Sequence, residues 1–242
     1  MINDLNADPA YETVEIIKRM GGAAVACVGN VTEPGFGEYF VKTALDTYGS
    51  LDIIVNNAGY TWDDVIQKMT DEQWYAVIDV HLTAPFRILR AASDFIRTAA
   101  KKEAAAGQEF FRKVVNISSI AGLCGNAGQL NYSAAKAGIV GATRTLCKEW
   151  GRYKVNVNCV AFGLIKTRLT EASADGDASV DIEGKQIKVG VNPELLKTME
   201  RMIPLGRGGT PEEAAGAVYL LCLPEANYIS GQTIVCGGGF EM

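Results

Sequence analysis

The 242-residue sequence contains a single histidine, His81, and its six cysteines (Cys27, Cys124, Cys147, Cys159, Cys222, Cys236) include no C-x-x-C pair. A zinc site normally draws on clustered histidine and cysteine, and a Ser-His-Asp hydrolase would have only His81 to use. Both chemistries are set aside. No apolar run approaches the roughly 20 residues that a membrane helix needs, so a membrane partner is not expected. Basic residues are outnumbered, 23 Lys and Arg against 28 Asp and Glu, and the formal net charge is -5. The longest basic run is Lys101-Lys102, so nothing offsets repulsion from a phosphate backbone and nucleic acid is not expected as a partner. The opening MINDLNADPA has neither the basic nor the apolar region of a secretory signal. The chain is therefore expected in the cytoplasm, with its cysteines reduced and serving as small buried hydrophobes.

What the sequence does have is alternation. Val14, Ile17 and Met20 stand at helical spacing before Gly21-Gly22, and AAVACV (23–28) reads as a strand buried on both faces. Residues 36–48 read as a helix and LDIIVNN (51–57) as the next strand. A long helical stretch runs from Thr70 to about Ala106 with an interruption near Pro85. KVVNIS (113–118), a helix over about 131–150, and VNVNCVA (155–161) continue the pattern. Thr210-Pro211-Glu212-Glu213 is a capping box that opens another helix, and QTIVCGGG is the last strand. Helices of this length between apolar strands predict an α/β fold, a doubly wound parallel sheet covered on both faces, in one domain over 1–242. Residues 167–200 are polar and weakly periodic and fit neither element. Following a strand end, they read as a substrate lid.

Tyr132 and Lys136 stand four apart in NYSAAKAG, which on a helix puts both side chains on one face, one turn apart. A phenol titrates near ~10, too high for a base at neutral pH, but a neighbouring ammonium favours the phenolate. Taken alone, such a pair is most often an incidental aromatic beside a solvated lysine. Ser119 changes the weighting: it ends the strand KVVNIS, where open α/β sheets place their crevice, and adds a second hydroxyl.

NISSIAG followed by NYSAAKAG strongly resembles the short-chain dehydrogenase/reductase family, as does Asn56-Asn57-Ala58-Gly59 after LDIIV. The resemblance continues through VNVNCVAFGLIKT to ISGQTIVCGGG. It implies a Rossmann-like fold and an oxidoreductase that moves a hydride between a nicotinamide cofactor and a secondary alcohol or ketone, closest to 3-oxoacyl and 3-hydroxyacyl thioester chemistry. Tyr132 would then be the acid/base. Lys136 would lower the phenol pKa and hold the nicotinamide ribose, and Ser119 would bond the substrate oxygen. His81 occupies a position where the family commonly has asparagine and would join a proton relay, with ordinary helix filler the competing reading. Asn57, Ala58, Gly59, Ile165 and Thr167 would line the cofactor. Asp4 would accept the adenosine ribose hydroxyls and favour NAD over NADP, and Asn30-Val31 would face adenine. The resemblance also implies a homo-oligomer, dimer or tetramer, paired through the helices at about 70–106 and 131–150.

One family feature has no counterpart in residues 1–242. The T-G-x-x-x-G-x-G turn, which offers backbone N–H groups and a helix N-terminus to the pyrophosphate, does not occur. Gly35-x-Gly37 and Gly237-Gly238-Gly239 follow other strands and do not replace it. The sequence thus reads as a family member without its first strand and helix, and a subunit that keeps the oligomer interface without binding cofactor stands as the alternative function. Titration of residues 1–242 with NADH is expected to give a dissociation constant weaker than micromolar. Micromolar binding would show the pyrophosphate to be held by another surface.

Overall fold

The computed structural model describes residues 1–167, 170, 179–182, 184–188 and 193–240. In chain order, α1 (Ala7–Arg19) and α2 (Phe36–Tyr48) precede β1 (Ile53–Asn56). Next come α3 (Asp71–Ile78), a π-turn over Asp79–Thr83, and α4 (Ala84–Ala105). Then follow β2 (Arg112–Ser119), α5 (Ile120–Cys124), α6 (Leu130–Trp150) and β3 (Val155–Phe162). The chain continues through β4 (Ser179–Ile182), β5 (Lys185–Lys188), α7 (Pro193–Met202), α8 (Pro211–Cys222) and β6 (Thr233–Cys236).

The main sheet has the order β1-β2-β3-β6 with every pair parallel. Parallel strands need covered crossovers, and the covering is legible in the side chains. In β2, Val114 joins Ile54, Val155 and Val157 beneath α2 and α4, whose Val41, Ile88, Leu89, Ala92 and Ile96 complete the main core. The next residue, Val115, points to the opposite face and packs with Ile117, Val160 and Leu221 of α8. Cys159 returns to the first face, under Ile139 and Val140 of α6. The fold is therefore the expected α/β one, a Rossmann-like parallel sheet with helices on both faces.

Four features differ from the sequence reading or sharpen it. AAVACV forms no strand of the sheet: Ile2 and Ala26 make a single parallel bridge, with Ile2 N–H donating to Val25 O at 2.9 Å and Cys27 N–H to Ile2 O at 2.8 Å. β1 pairs with β2 alone, and its Ile53 and Val55 stay 48% and 43% exposed. The AAVACV segment makes these two bonds to Ile2 and does not pair with β1, which amounts to a bridge and not a ladder. The expected interruption near Pro85 takes the form of a π-turn at Asp79–Thr83, immediately before the proline, which has no N–H to give to the carbonyls of that turn. Part of 167–200 is regular: β4 and β5 form an antiparallel hairpin with Gly184 in the left-handed region at φ 81°, and α7 follows. The remainder of the lid expectation falls outside the described residues. Among the cysteines, all six are free, but only Cys27 and Cys159 are buried and Cys124 is exposed.

The capping box at Thr210 is present: its hydroxyl accepts from Glu213 N–H at 3.2 Å, and its own N–H donates to the Glu213 carboxylate at 2.9 Å. Among the described residues, no helix is long and apolar enough to cross a membrane.

Candidate active site

Because all four strands run parallel, their C-terminal ends open on one edge, where such sheets bind ligands. β1 leads into Asn57-Ala58-Gly59, β2 ends at Ser119, and β3 leads into Ile165 and Thr167. α6 brings Tyr132 and Lys136 to the same edge, and three buried hydrogen bonds fix it against β2. Ser118 Oγ donates to Lys136 O at 2.8 Å, Lys136 Nζ donates to Ile117 O at 2.7 Å, and Asn116 Nδ2 donates to Thr143 Oγ1 at 2.9 Å. Close approach of α5 needs Gly122, since a Cβ there would lie 2.6 Å from the Lys136 backbone carbon. Asn131, fully buried, secures the start of α6: its Nδ2 donates to Trp62 O at 3.1 Å and Gln73 O at 3.0 Å, while its Oδ1 accepts from Tyr132 N–H at 2.8 Å.

Ser119 stands beside the Tyr132 phenol, where its hydroxyl favours the phenolate. Its Oγ accepts from Ala121 N–H at 3.2 Å as the N-cap of α5, a short helix that fixes the serine in place. Burial pushes the phenol up to about 12; the Ser119 hydroxyl works against that rise and the charge of Asp63 adds to it. This reverses the sequence expectation that Lys136 pulls the phenol down. The ammonium sits 5.5 Å from the ring centroid and is committed to the Ile117 carbonyl, while burial drives Lys136 itself down to about 8. Desolvation of both groups outweighs their attraction.

His81 lies in the π-turn, 4% exposed, edge-on to Tyr132 with ring centroids 5.1 Å apart at 88°. Asn57, Ala58 and Gly59 are exposed beyond β1, Ile165 is buried, and Thr167 N–H donates to Thr170 Oγ1 at 2.9 Å. The residues expected at the adenosine end are engaged locally. Asp4 Oδ1 accepts from Asn6 N–H at 2.9 Å, and Asn30 Oδ1 accepts from Thr32 N–H at 2.9 Å and Thr32 Oγ1 at 2.8 Å. Val31 is buried in a cluster with Cys27, Phe36, Val80 and Ala84. The hairpin docks beside the site, Lys185 pairing with Glu72 and lying 5.4 Å over the Trp62 ring. Sequence reasoning missed Asn116, Gly122 and Asn131. A lone polar residue inside the apolar run KVVNIS was the available signal for Asn116; the other two carried none.

A nicotinamide nucleotide suits one half of this edge. An ammonium has three donors, and Lys136 spends one on Ile117 O, leaving two for a ribose diol next to the phenol. For the pyrophosphate, Gly35 and Gly37 open α2, but Gly37 is buried with a Cβ there falling 3.0 Å from the Arg87 backbone, so that glycine serves the packing of α2 on α4.

A family profile described as Enoyl-(Acyl carrier protein) reductase, within the short-chain dehydrogenase/reductases, matches residues 1–241. Among curated proteins, the 3-oxoacyl-[acyl-carrier-protein] reductase of Synechocystis sp. is 38% identical over 245 residues, covering 100% of this chain and 86% of that protein. The enzyme of the same description from Vibrio cholerae is 37% identical, covering 88% of this chain and 76% of its own length. That of Chlamydia muridarum is 39% identical, with coverage of 82% and 69%. Each of these relatives is named as a reductase, which lends no support to a non-catalytic subunit.

Lys136 has a measurable signature. Its folded pKa of about 8 lies below its ordinary 10.5, so between those values the unfolded chain holds the proton that the folded chain has lost. Stability relative to Lys136→Met is expected to rise with pH across that window, by about 3 kcal/mol in total. Urea unfolding of both proteins at pH 7 and pH 10 checks this, and a pH-independent difference would contradict the burial of the ammonium.

Proposed function

This chain belongs to the short-chain dehydrogenase/reductase family, and on that premise we propose that it transfers a hydride between a nicotinamide cofactor and a 3-oxoacyl or 3-hydroxyacyl thioester. The observation that carries the reading is the Tyr132–Lys136 pair, its buried ammonium held by Ile117 O, beside Ser119 at the C-terminal edge of a parallel sheet. The relatives named as 3-oxoacyl-[acyl-carrier-protein] reductases support the substrate class.

Tyr132 is the proton donor to the substrate oxygen, and Ser119 holds that oxygen by a second hydrogen bond. With burial holding the phenol near 12, it is protonated at neutral pH, ready to donate to the still more basic alkoxide that forms on a reduced carbonyl. The spare donors of Lys136 hold the ribose hydroxyls, with Asn57, Ala58, Gly59, Ile165 and Thr167 lining the nicotinamide end. Bound there, the cofactor supplies or accepts the hydride. Asp4, Asn30 and Val31 mark the adenosine end, and the Asp4 carboxylate, which would repel a 2′-phosphate, is the argument for NAD.

The same reading includes a homo-oligomer formed through the outer faces of α4 and α6, which expose Phe86 and Leu130. Light scattering is expected to give a dimer or tetramer, and a 25.9 kDa monomer would refute that part.

In an assay following nicotinamide oxidation by a 3-oxoacyl thioester at millimolar cofactor, Tyr132→Phe is expected to fold normally and lose about 10²–10⁴-fold in kcat. A loss of tenfold or less would remove Tyr132 from the role. Absence of turnover by the native chain with both NADH and NADPH would overturn the reaction.

A further inference from the structure

His81 makes three contacts that together define its state. Its Nε2 lies 2.7 Å from the Tyr60 carbonyl oxygen. A carbonyl only accepts, so the ring hydrogen is on Nε2, and Nδ1 carries a bare lone pair. Nδ1 is buried and has no hydrogen-bond partner among the described residues. The ring edge meets Tyr132. Its third neighbour is Gly59, where a Cβ would fall 2.0 Å from Cε1, 2.6 Å from Nδ1 and 3.0 Å from Nε2. Gly59 is absent from the glycines with positive φ, so its backbone does not call for glycine; the imidazole does.

Burial holds the His81 pKa well below its ordinary 6.5, the charge of Lys136 pushes the same way, and only the Tyr60 bond opposes them. The ring is thus neutral at physiological pH. Its one hydrogen is committed to a carbonyl, which leaves it none to hand to substrate.

From these contacts we propose that His81 is a positioning residue, a single-tautomer spacer that sets the separation between the Asn57–Tyr60 loop and the Tyr132 phenol, with Gly59 as its obligatory counterpart. A ring fixed on both sides transmits the position of the loop to the phenol. Its consequence for rate rests on the reading of Tyr132 as proton donor. The packing relation between His81 and Gly59 does not.

Two measurements test the packing without reference to activity. As the sole histidine, His81 assigns itself in a ¹⁵N imidazole spectrum, expected to show the Nε2–H tautomer unchanged from pH 5 to 9. An Nδ1–H tautomer, or titration within that range, overturns the proposal. Gly59→Ala is expected to lower Tm by about 5 °C or more in the native chain, and by about 1 °C or less once His81→Ala has made room. Equal losses in both backgrounds overturn it; should the double variant not fold, His81→Ser takes the place of His81→Ala. For rate, His81→Ala is expected to lose about tenfold or more in kcat, with thioester KM changed by less than about threefold. His81→Asn, which keeps a donor for Tyr60 O, is expected to recover part of the loss. An unchanged kcat in His81→Ala, where Tyr132→Phe is inactive, overturns the positioning role. Full activity in Tyr132→Phe instead condemns the proton-donor reading, and the spectrum and the Tm cycle then decide the packing on their own.

Discussion

A lysine ammonium buried to 4% exposure and held by one strand carbonyl is the constraint on which the rest of the site depends. Taking a charge out of water is costly, and the downward displacement of the Lys136 pKa to about 8 expresses that cost. The ammonium stays where it is because α6 cannot move away. Ser118 holds the Lys136 carbonyl, Asn116 holds Thr143 two turns further on, and Asn131 anchors the first turn. Small residues make the proximity possible: Gly122 admits the α6 backbone, and Ala135 packs with no exposure. Tyr132, one turn before the lysine, inherits its position from the same lock.

The sheet serves this arrangement by being parallel. Four C-terminal strand ends converge, so a polar edge is built from residues far apart in sequence. Polar side chains also lie within the strands, Lys113 and Asn116 in β2 and Asn156 and Asn158 in β3. Asn56 Nδ2 donates to Asn116 Oδ1 across neighbouring strands at 2.8 Å. Their pairing extends the polar lock from α6 to the strand that carries the Asn57–Gly59 loop. The position of Tyr132 and that of the Asn57–Gly59 loop are therefore joined through the core as well as through His81.

Much of this was legible in the sequence, because periodicity and residue chemistry are local. VNVNCVA could only be a buried strand, the spacing of Tyr132 and Lys136 put them on one helical face, and Thr210 to Glu213 spelled a capping box. What escaped was non-local. AAVACV has the composition of a strand but lacks the partners to be one. Pro85 signalled the helix interruption, but that it is a π-turn at Asp79–Thr83 holding His81 was not legible. Most instructive is the phenol. A lysine four residues away suggested a lowered pKa, whereas desolvation of the whole pocket, a property of the assembled fold, sends it upward.

The π-turn at Asp79–Thr83 also bears on how such a site arises and disappears. A π-turn amounts to an α-helix carrying one extra residue. Removal of one residue from it would close the wide turn and let α3 and α4 merge into an uninterrupted α-helix from Asp71 to Ala105, moving the residues of the turn against their neighbours. His81 would then swing away from both Gly59 and Tyr132. Pro85 would then stand inside a continuous helix, where its ring clashes with the carbonyl four residues back, so a single-codon deletion strains the helix as well as dismantling the link. The reverse event, one inserted codon in an unremarkable helix, is enough to create it. Selection on this segment acts on its length as well as on its side chains, and a substitution scan that preserves length would not reveal that.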